Sequence, residues 1–283
     1  MDPTHVARLH AVRNVVPWAT LLGDPTWQTP RCAWMPGSSQ KGVPDVSILP
    51  ATHMHDEPAH RWREPSRSTA TRRPSEKPNA AARPILVSPE DWREILCESE
   101  LEAKAAVILM ARPDCKHLHE QPAPIRYVDH EGIERRHTFD FLMVLWSGVR
   151  IAVVVKPIPI VERRALNALV RRIAAQMDPR FAKGILLMTD RMMSRAKVAN
   201  ARLIHDAKRL PDPHVDLAIL GVLNTLNGAT TIASIVRAAG LDGHDQGFYA
   251  VARTIGTGLA LPVGGGLITP ETLVVRLLGR EGR

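Results

Sequence analysis

The stretch RHTFDFLMVLWSGVRIAVVVKP, Arg136 to Pro157, constrains this chain more than any other. It reads as two apolar strands joined by a tight turn at Ser147 and Gly148. Side chains alternate along a strand, so the second strand sets Val149, Ile151, Val153 and Val155 on one face. Arg150, Ala152, Val154 and Lys156 take the other. Lys156 ends an otherwise apolar strand. A buried charge is costly unless paired, so this lysine points to solvent, a carboxylate or a phosphate. Asp140, on the first strand, is the nearest candidate carboxylate.

Whether the two meet depends on register, because a slip of one residue turns every side chain to the opposite face. A two-residue loop at Ser147 and Gly148 pairs Asp140 with Val155 and leaves Lys156 on the far side. A three- or five-residue loop pairs Asp140 with Lys156. We expect the odd loop. The plainer alternative makes Asp140 a turn former at a strand end and Lys156 a charge that guards a sheet edge.

The 283 residues, 45% of them hydrophobic, are enough for a sizeable core and more than one folded unit. Lys plus Arg outnumber Asp plus Glu by 37 to 29, a net charge of +8 that favours a polyanionic partner such as DNA or RNA. Cys32, Cys97 and Cys115 show no CxxC or CxxH pairing and read as reduced thiols in a reducing compartment. The pairs His53 with His55 and His117 with His119 have no neighbours that would complete a tetrahedral metal set. No apolar run approaches the roughly 20 residues that span a bilayer, and the N-terminus lacks a secretory pattern. The expectation is a cytoplasmic protein with no membrane segment.

Residues 1–84 are rich in proline, and SRSTATRRPSEKPNAAARP at 66–84 mixes Pro, Ser, Ala and basic residues without periodicity, so disorder is expected there. A short helix lined by Val6, Leu9 and Val12 is the alternative for the first residues. From Ile85 the composition shifts. Ser88, Pro89, Glu90 and Asp91 carry helix-start chemistry, so a helix over SPEDWREILCE is expected to lead into SELEAKAAVILMA. In the second piece Leu101, Ala105, Ile108 and Leu109 form an apolar stripe with Glu102 beside it.

DCKHLHEQPAP reads as a connector, IRYVDH as a strand, and the opening hairpin follows. Beyond it come a long helix at about Val161–Met177, a strand GILLMT, and a basic helix capped by Thr189 or Asp190 and ended by Pro211 and Pro213. Helix, three antiparallel strands, helix, strand, helix makes an α/β unit over 85–210: a mixed sheet flanked by helices. Arg163, Arg164, Arg171 and Arg172 on the first helix, with Arg195, Lys197 and Arg202 on the second, are the candidate DNA-binding residues. The competing reading is that these charges only solvate the outer faces of amphipathic helices.

Residues 211–283 form a second unit. Helices are expected at about Val215–Leu226, Thr230–Ala239 and Asp245–Gly258, then a small hairpin in LALPVGGGLIT. Three short helices and a glycine-tipped hairpin suit a winged helix, a fold that serves nucleic-acid binding or protein docking. A transcription regulator would carry several basic residues on its recognition helix; Thr230–Ala239 offers Arg237.

SELEAKAAVILM, EQPAPIRY at 120–127, HTFDFLMVLWSGVRIAVVVKP and VANARLI at 198–204 stand in an order and spacing that carry a resemblance. Over roughly Pro89–Arg209 the chain resembles the N-terminal endonuclease domain of TnsA, a subunit of heteromeric transposases, and so the PD-(D/E)xK nuclease superfamily with its restriction-endonuclease-like fold. The second unit is similar to that family's winged-helix C-terminal domain. The resemblance implies Glu102 as the upstream catalytic acid, Asp140 as a metal-binding acid and Lys156 as the catalytic lysine. Where the family has Glu or Gln two residues before that lysine, this chain has Val154.

The chemistry needs such residue types. Phosphodiester hydrolysis places a water in line with phosphorus and neutralises the charge that builds on phosphate oxygens and leaving group. Mg²⁺ (or Mn²⁺) held by one or two carboxylates, with waters and phosphate oxygens, does both, so Asp140 and Glu102 suffice in number. Val154 brings no oxygen. Glu162, near the start of the next helix, is a further candidate metal ligand if the loop Pro157–Val161 turns back; otherwise it is a favourable acid in a first helical turn. The resemblance therefore implies Mg²⁺-dependent cleavage of one DNA strand at transposon ends, beside a DDE transposase subunit and an AAA+ regulator. The alternative is a catalytically degenerate nuclease fold that binds DNA and docks partners.

Overall fold

A computed structural model describes residues 64–71, 83–241 and 245–277. Cys32, the His53 and His55 pair, the apolar pattern at 6–12 and most of the leader lie outside the described residues. The chain builds β1 (Ile85–Val87), β2 (Glu94–Leu96), α1 (Glu100–Met110), β3 (Cys115–Glu120), β4 (Ile125–Val128) and β5 (Glu134–His137). Next come β6 (Phe141–Leu145), β7 (Arg150–Val155), α2 (Ile158–Arg163), α3 (Leu166–Gln176), β8 (Gly184–Met188) and α4 (Arg195–Arg209). The remainder is α5 (Pro213–Thr225), β9 (Thr230–Thr231), α6 (Ile232–Ala238), α7 (Asp245–Gly256), β10 (Ala260–Pro262) and β11 (Leu273–Arg276). The fold is mixed α/β.

Its centre is a four-stranded sheet in the order β3-β6-β7-β8, with β8 parallel to β7 and the other pairs antiparallel. Alternation along β7 decides what covers each face. Ile151, Val153 and Val155 join Phe141, Met143, Leu186 and Met188 in one core, packed against α1 and α4. Ala152 and Val154 join Leu142 and Ile185 in a second core under Val170, Ile173 and Ala174 of α3. A strand apolar on both faces requires helices on both sides, and here it has them.

The hairpin loop is of the odd kind. Leu145 N–H donates to Val149 O at 2.8 Å, leaving the three residues Trp146–Gly148 as the turn, with Gly148 at φ +80°. Its centre is Ser147, so Phe141 pairs with Val153 and Asp140 falls across from Val154, two residues short of the expected Lys156. Position and partner differ, but parity holds, and parity is what keeps Asp140 and Lys156 on one face.

Four expectations need correction. No helix forms over Ser88–Glu98: β1 and β2 pair as a hairpin, with Trp92 at φ +49° and Ser88 N–H donating to Arg93 O at 2.9 Å. The Ser-Pro-Glu-Asp run makes its turn, and the capping serine of α1 is Ser99. The supposed connector DCKHLHE is β3, an edge strand whose Glu120 points inward because Arg93 meets it there at 2.8 Å. The long helix breaks at Ala165, φ +47°, into α2 and α3. Thr189 caps only a 3₁₀ turn, and Ser194 caps α4.

Disorder over the whole of 66–84 is also overturned for its first residues. Ser66 N–H donates to Trp92 O and Glu94 N–H to Ser66 O, both at 2.9 Å. Ser68 donates to Glu120, and Thr71 donates to Gln121 O through N–H at 3.1 Å and through Oγ1 at 2.8 Å. Composition argued for a solvated linker; backbone pairing with the β1–β2 turn and the end of β3 fixes it instead.

In the C-terminal unit the helices α5, α6 and α7 fall within two residues of expectation, and β10, β11 and β9 form a three-stranded antiparallel sheet. The α1–α4 core continues into this unit without a break, through Ile219, Ile232, Val251 and Ile255. Gly256 is required where α7 crosses α4: a Cβ there would lie 2.5 Å from Ile204. Arg253 ties the units further, donating to Ala207 O at 3.1 Å and Leu210 O at 2.7 Å while pairing with Asp216. Among the described residues no helix is long and apolar enough to cross a membrane.

Candidate active site

Asp140 sits where the chain leaves the β4–β5 ribbon and enters the sheet. Its N–H donates to Val153 O and its carbonyl accepts from Gln121 N–H, both at 3.0 Å, so strands on either side hold it. The carboxylate, in a residue only 8% exposed, then substitutes for a main-chain acceptor: Val155 N–H donates to Oδ2 at 2.7 Å. Lys156 Nζ lies 3.1 Å from Oδ2 and 3.2 Å from Oδ1. The lysine stem spans the two-residue offset in register, and its side chain remains 38% exposed, open to solvent at the sheet's end.

Glu102 is the third residue of α1, inside its first turn. Ser99 Oγ accepts from Glu102 N–H and donates to Oε1, each at 3.2 Å, while Glu98 N–H donates to Oε2 at 2.7 Å. This resembles a capping box shifted by one residue, since Glu102 accepts from the N–H before the capping Ser99, and it is a structural role that Glu102 fills whatever else it does. Each carboxylate oxygen still has a free lone pair. Burial, and next the negative charge of Asp140, push the Glu102 carboxyl up, while Lys156 acts in the opposite sense. Asp140 and Lys156 thus meet directly, between the start of β6 and the end of β7, while Glu102 on α1 bonds to Ser99 and Glu98 and feels the other two through their charges.

Val154, 3% exposed, is packed in the α3 core. Glu162 stands exposed on α2, and the structure gives it no bond to the trio. Among the described residues no group of three or more His, Cys, Asp or Glu side chains gathers to hold a metal. The two carboxylates offer oxygen donors only, the chemistry of a hard divalent cation, and the negative charge of Asp140 disfavours ionisation of Glu102.

The candidate DNA-binding residues divide. Arg163, Arg164 and Arg171 are exposed and Arg172 half-buried on α2 and α3, at one face of the sheet. Arg195 and Arg202 are exposed and Lys197 half-buried on α4, at the other. The two basic helices therefore offer separate surfaces.

Two residues beside the trio escaped the sequence reading. Gln121, buried, adopts φ +42°, a conformation rarely held by a residue other than glycine, and its backbone joins Thr71 to Asp140. His137, the last residue of β5, has its Nε2 buried with no hydrogen-bond partner among the described residues. Burial lowers its pKa, Asp140 raises it, and Lys156 lowers it again. Both lie in the blocks EQPAPIRY and HTFD; neither spacing nor hydropathy separates them from their neighbours. His117 Nδ1 is 3.6 Å from Asp91, and His119 Nδ1 is 3.4 Å from Thr69 Oγ1. The thiols of Cys97 and Cys115 are free and buried, each pushed up to about 12 by burial, and so protonated at neutral pH. Against known proteins, no family model matches the chain and no curated protein is significantly similar to it.

Proposed function

We propose that the chain is a TnsA-like DNA endonuclease subunit of a transposase, with a restriction-endonuclease-like first unit and a winged-helix second unit. The observation that carries the reading is the meeting of Asp140 and Lys156 at the open end of β7, with Glu102 in the same field. An acid and a lysine that converge from two adjacent strands, beside an acid from a flanking helix, form an arrangement suited to phosphodiester hydrolysis.

Each residue has a task. Asp140 and Glu102 would hold Mg²⁺ or Mn²⁺, which supplies charge neutralisation on the phosphate and activation of water. Asp140 is pre-positioned by Val155 N–H, so its carboxylate need not reorganise. Lys156 Nζ, beside Asp140 and open to solvent, would turn its donors to a phosphate oxygen or the attacking water. The exposed arginines of α3 or of α4 bind the flanking backbone. Partners of this reading are DNA, a DDE transposase subunit and an AAA+ regulator, in the cytoplasm.

Val154 favours a second reading, a DNA-binding and docking module without cleavage, because that position places a methyl-bearing side chain in the α3 core where an oxygen ligand would be needed. The test is Mg²⁺- or Mn²⁺-dependent nicking of transposon-end DNA by the protein with its transposase partner, comparing wild type with Asp140→Asn. Nicking that disappears in the variant supports the nuclease. A formed complex that never nicks supports the docking module.

A further inference from the structure

We propose that residues 64–71 form a positioning strap for the candidate active site, in which Thr71 acts through Gln121 to hold Asp140 where it meets Lys156; the inference deepens the nuclease reading and rests on it. Hydrogen bonds seat the strap along its length. Ser66 bridges Arg93 in parallel, beside the β1–β2 turn. Ser68 donates to Glu120 and accepts from Ala70 N–H at 3.1 Å. Thr71 reaches the next residue of the main chain, donating to Gln121 O through its N–H at 3.1 Å and through Oγ1 at 2.8 Å. Gln121 N–H donates in turn to Asp140 O, and Asp140 N–H to Val153 O, both at 3.0 Å. The Asp140 carboxylate then accepts from Val155 N–H and Lys156 Nζ.

Gln121 is the link that gives the strap its effect. It is 4% exposed and held at φ +42°, a conformation unfavourable to a residue with a side chain and kept only where neighbours over-determine it. Here Thr71 fixes its carbonyl while Asp140 fixes its N–H, at opposite ends of one residue. Released by Thr71, Gln121 relaxes toward negative φ and turns its N–H away from Asp140 O. The strap contributes little to the core. EPSRSTAT carries no large apolar side chain and Thr71 is exposed, so apolar burial adds little to its docking. A segment seated by polar bonds to Glu120 and Gln121 acts on the placement of Asp140 more than on the stability of the fold.

The test grades the anchor in the full chain. Thr71→Ser keeps both donors, Thr71→Val loses the hydroxyl, and Thr71→Pro loses the hydroxyl and the N–H together. With the transposase partner, Mg²⁺ and saturating transposon-end DNA, nicking should stay within about twofold of wild type for serine, fall about threefold for valine and about tenfold or more for proline. KM for DNA should not change, since a small misplacement of a reacting group is felt in kcat. Amide exchange needs no activity: in Thr71→Pro it should quicken about tenfold at Gln121 and Val155 and keep its wild-type rate at Val251 of α7, with a thermal midpoint moved by less than about 2 °C. Unchanged exchange at Gln121 and Val155 in Thr71→Pro overturns this inference, as does a serine variant as impaired as the proline one. So does faster exchange at Val251 with a midpoint lowered by about 5 °C or more, since that pattern marks a clip for the whole fold. A wild-type complex that never nicks overturns the nuclease reading, and the exchange rates then decide for or against the strap by themselves.

Discussion

Replacing Asp140 by alanine, the obvious way to inactivate the site, should also loosen the sheet, and comparison with Asp140→Asn separates the two effects. Val155 N–H is buried and donates to Asp140 Oδ2 at 2.7 Å. Alanine strands that N–H in the core, which costs about 1–3 kcal/mol. Loss of the ion pair adds little, because Lys156 is 38% exposed and screened by solvent. Asparagine keeps a carbonyl oxygen for Val155 and gives up only the charge. We therefore expect Asp140→Ala to lose about 2 kcal/mol and Asp140→Asn less than about 1 kcal/mol, with nicking abolished in both. Urea unfolding of the full chain reads the difference as a midpoint lowered by about 1 M for alanine, at slopes near 2 kcal/mol/M. Amide exchange at Val155 localises it: faster in Asp140→Ala, near wild type in Asp140→Asn. Equal destabilisation by the two substitutions, or unchanged exchange at Val155 in the alanine variant, would refute the claim that the carboxylate completes the ladder.

Other perturbations test the surrounding structure. Arg93→Met leaves Glu120, whose side chain is fully buried, without its ion partner and should cost about 3–5 kcal/mol in thermal or urea unfolding. The double change with Glu120→Leu should recover most of that loss, and failure to recover would mean the pair is not what holds β2 to β3. His205, buried between α4 and α1 with Nε2 at 3.1 Å from Val107 O, has its pKa lowered to about 4 by burial. The unfolded chain takes up this proton near pH 6.5 while the folded one resists, so stability falls below pH 6.5 and levels off near pH 4. Between pH 7 and 5 the loss is about 2 kcal/mol, and it should vanish from the difference between wild type and His205→Gln. Val154→Glu puts a carboxylate where the α3 core now closes; it should lower the melting temperature in EDTA and regain part of the loss in Mg²⁺ if the new side chain reaches Asp140. A melting temperature indifferent to Mg²⁺ would show that it does not.

Some of this could be read directly from residues. Strand alternation in β6 and β7, the apolar run of α1 and the helices α5, α6 and α7 follow from hydrophobic period and from capping or breaking residues, which are local properties. The same local logic failed at Ser88–Glu98, where a good helix start is followed by a turn at Trp92, and at Ala165, where no glycine or proline marks the break. It failed at β3 because CKHLHE shows no apolar alternation. Glu120 faces inward only because Arg93, distant in sequence, arrives to neutralise it.

The candidate site divides along the same line. The resemblance singled out Glu102, Asp140 and Lys156, and with them Val154 as the departure from its pattern. Their meeting was not, since it depends on a three-residue turn centred on Ser147 and on a lysine long enough to cross the remaining offset. Nor could His137 or the 64–71 segment be singled out, because an unpaired nitrogen or a docked strand is defined by what surrounds it. By itself the sequence determined which segments prefer strand or helix and which residues have the chemistry for phosphate and metal. Tertiary structure alone decided which of those residues share a face, which charges are paired and which polar atoms go without a partner. Propensity is set by each residue and its near neighbours, whereas burial and pairing are set by chain segments that only folding brings together.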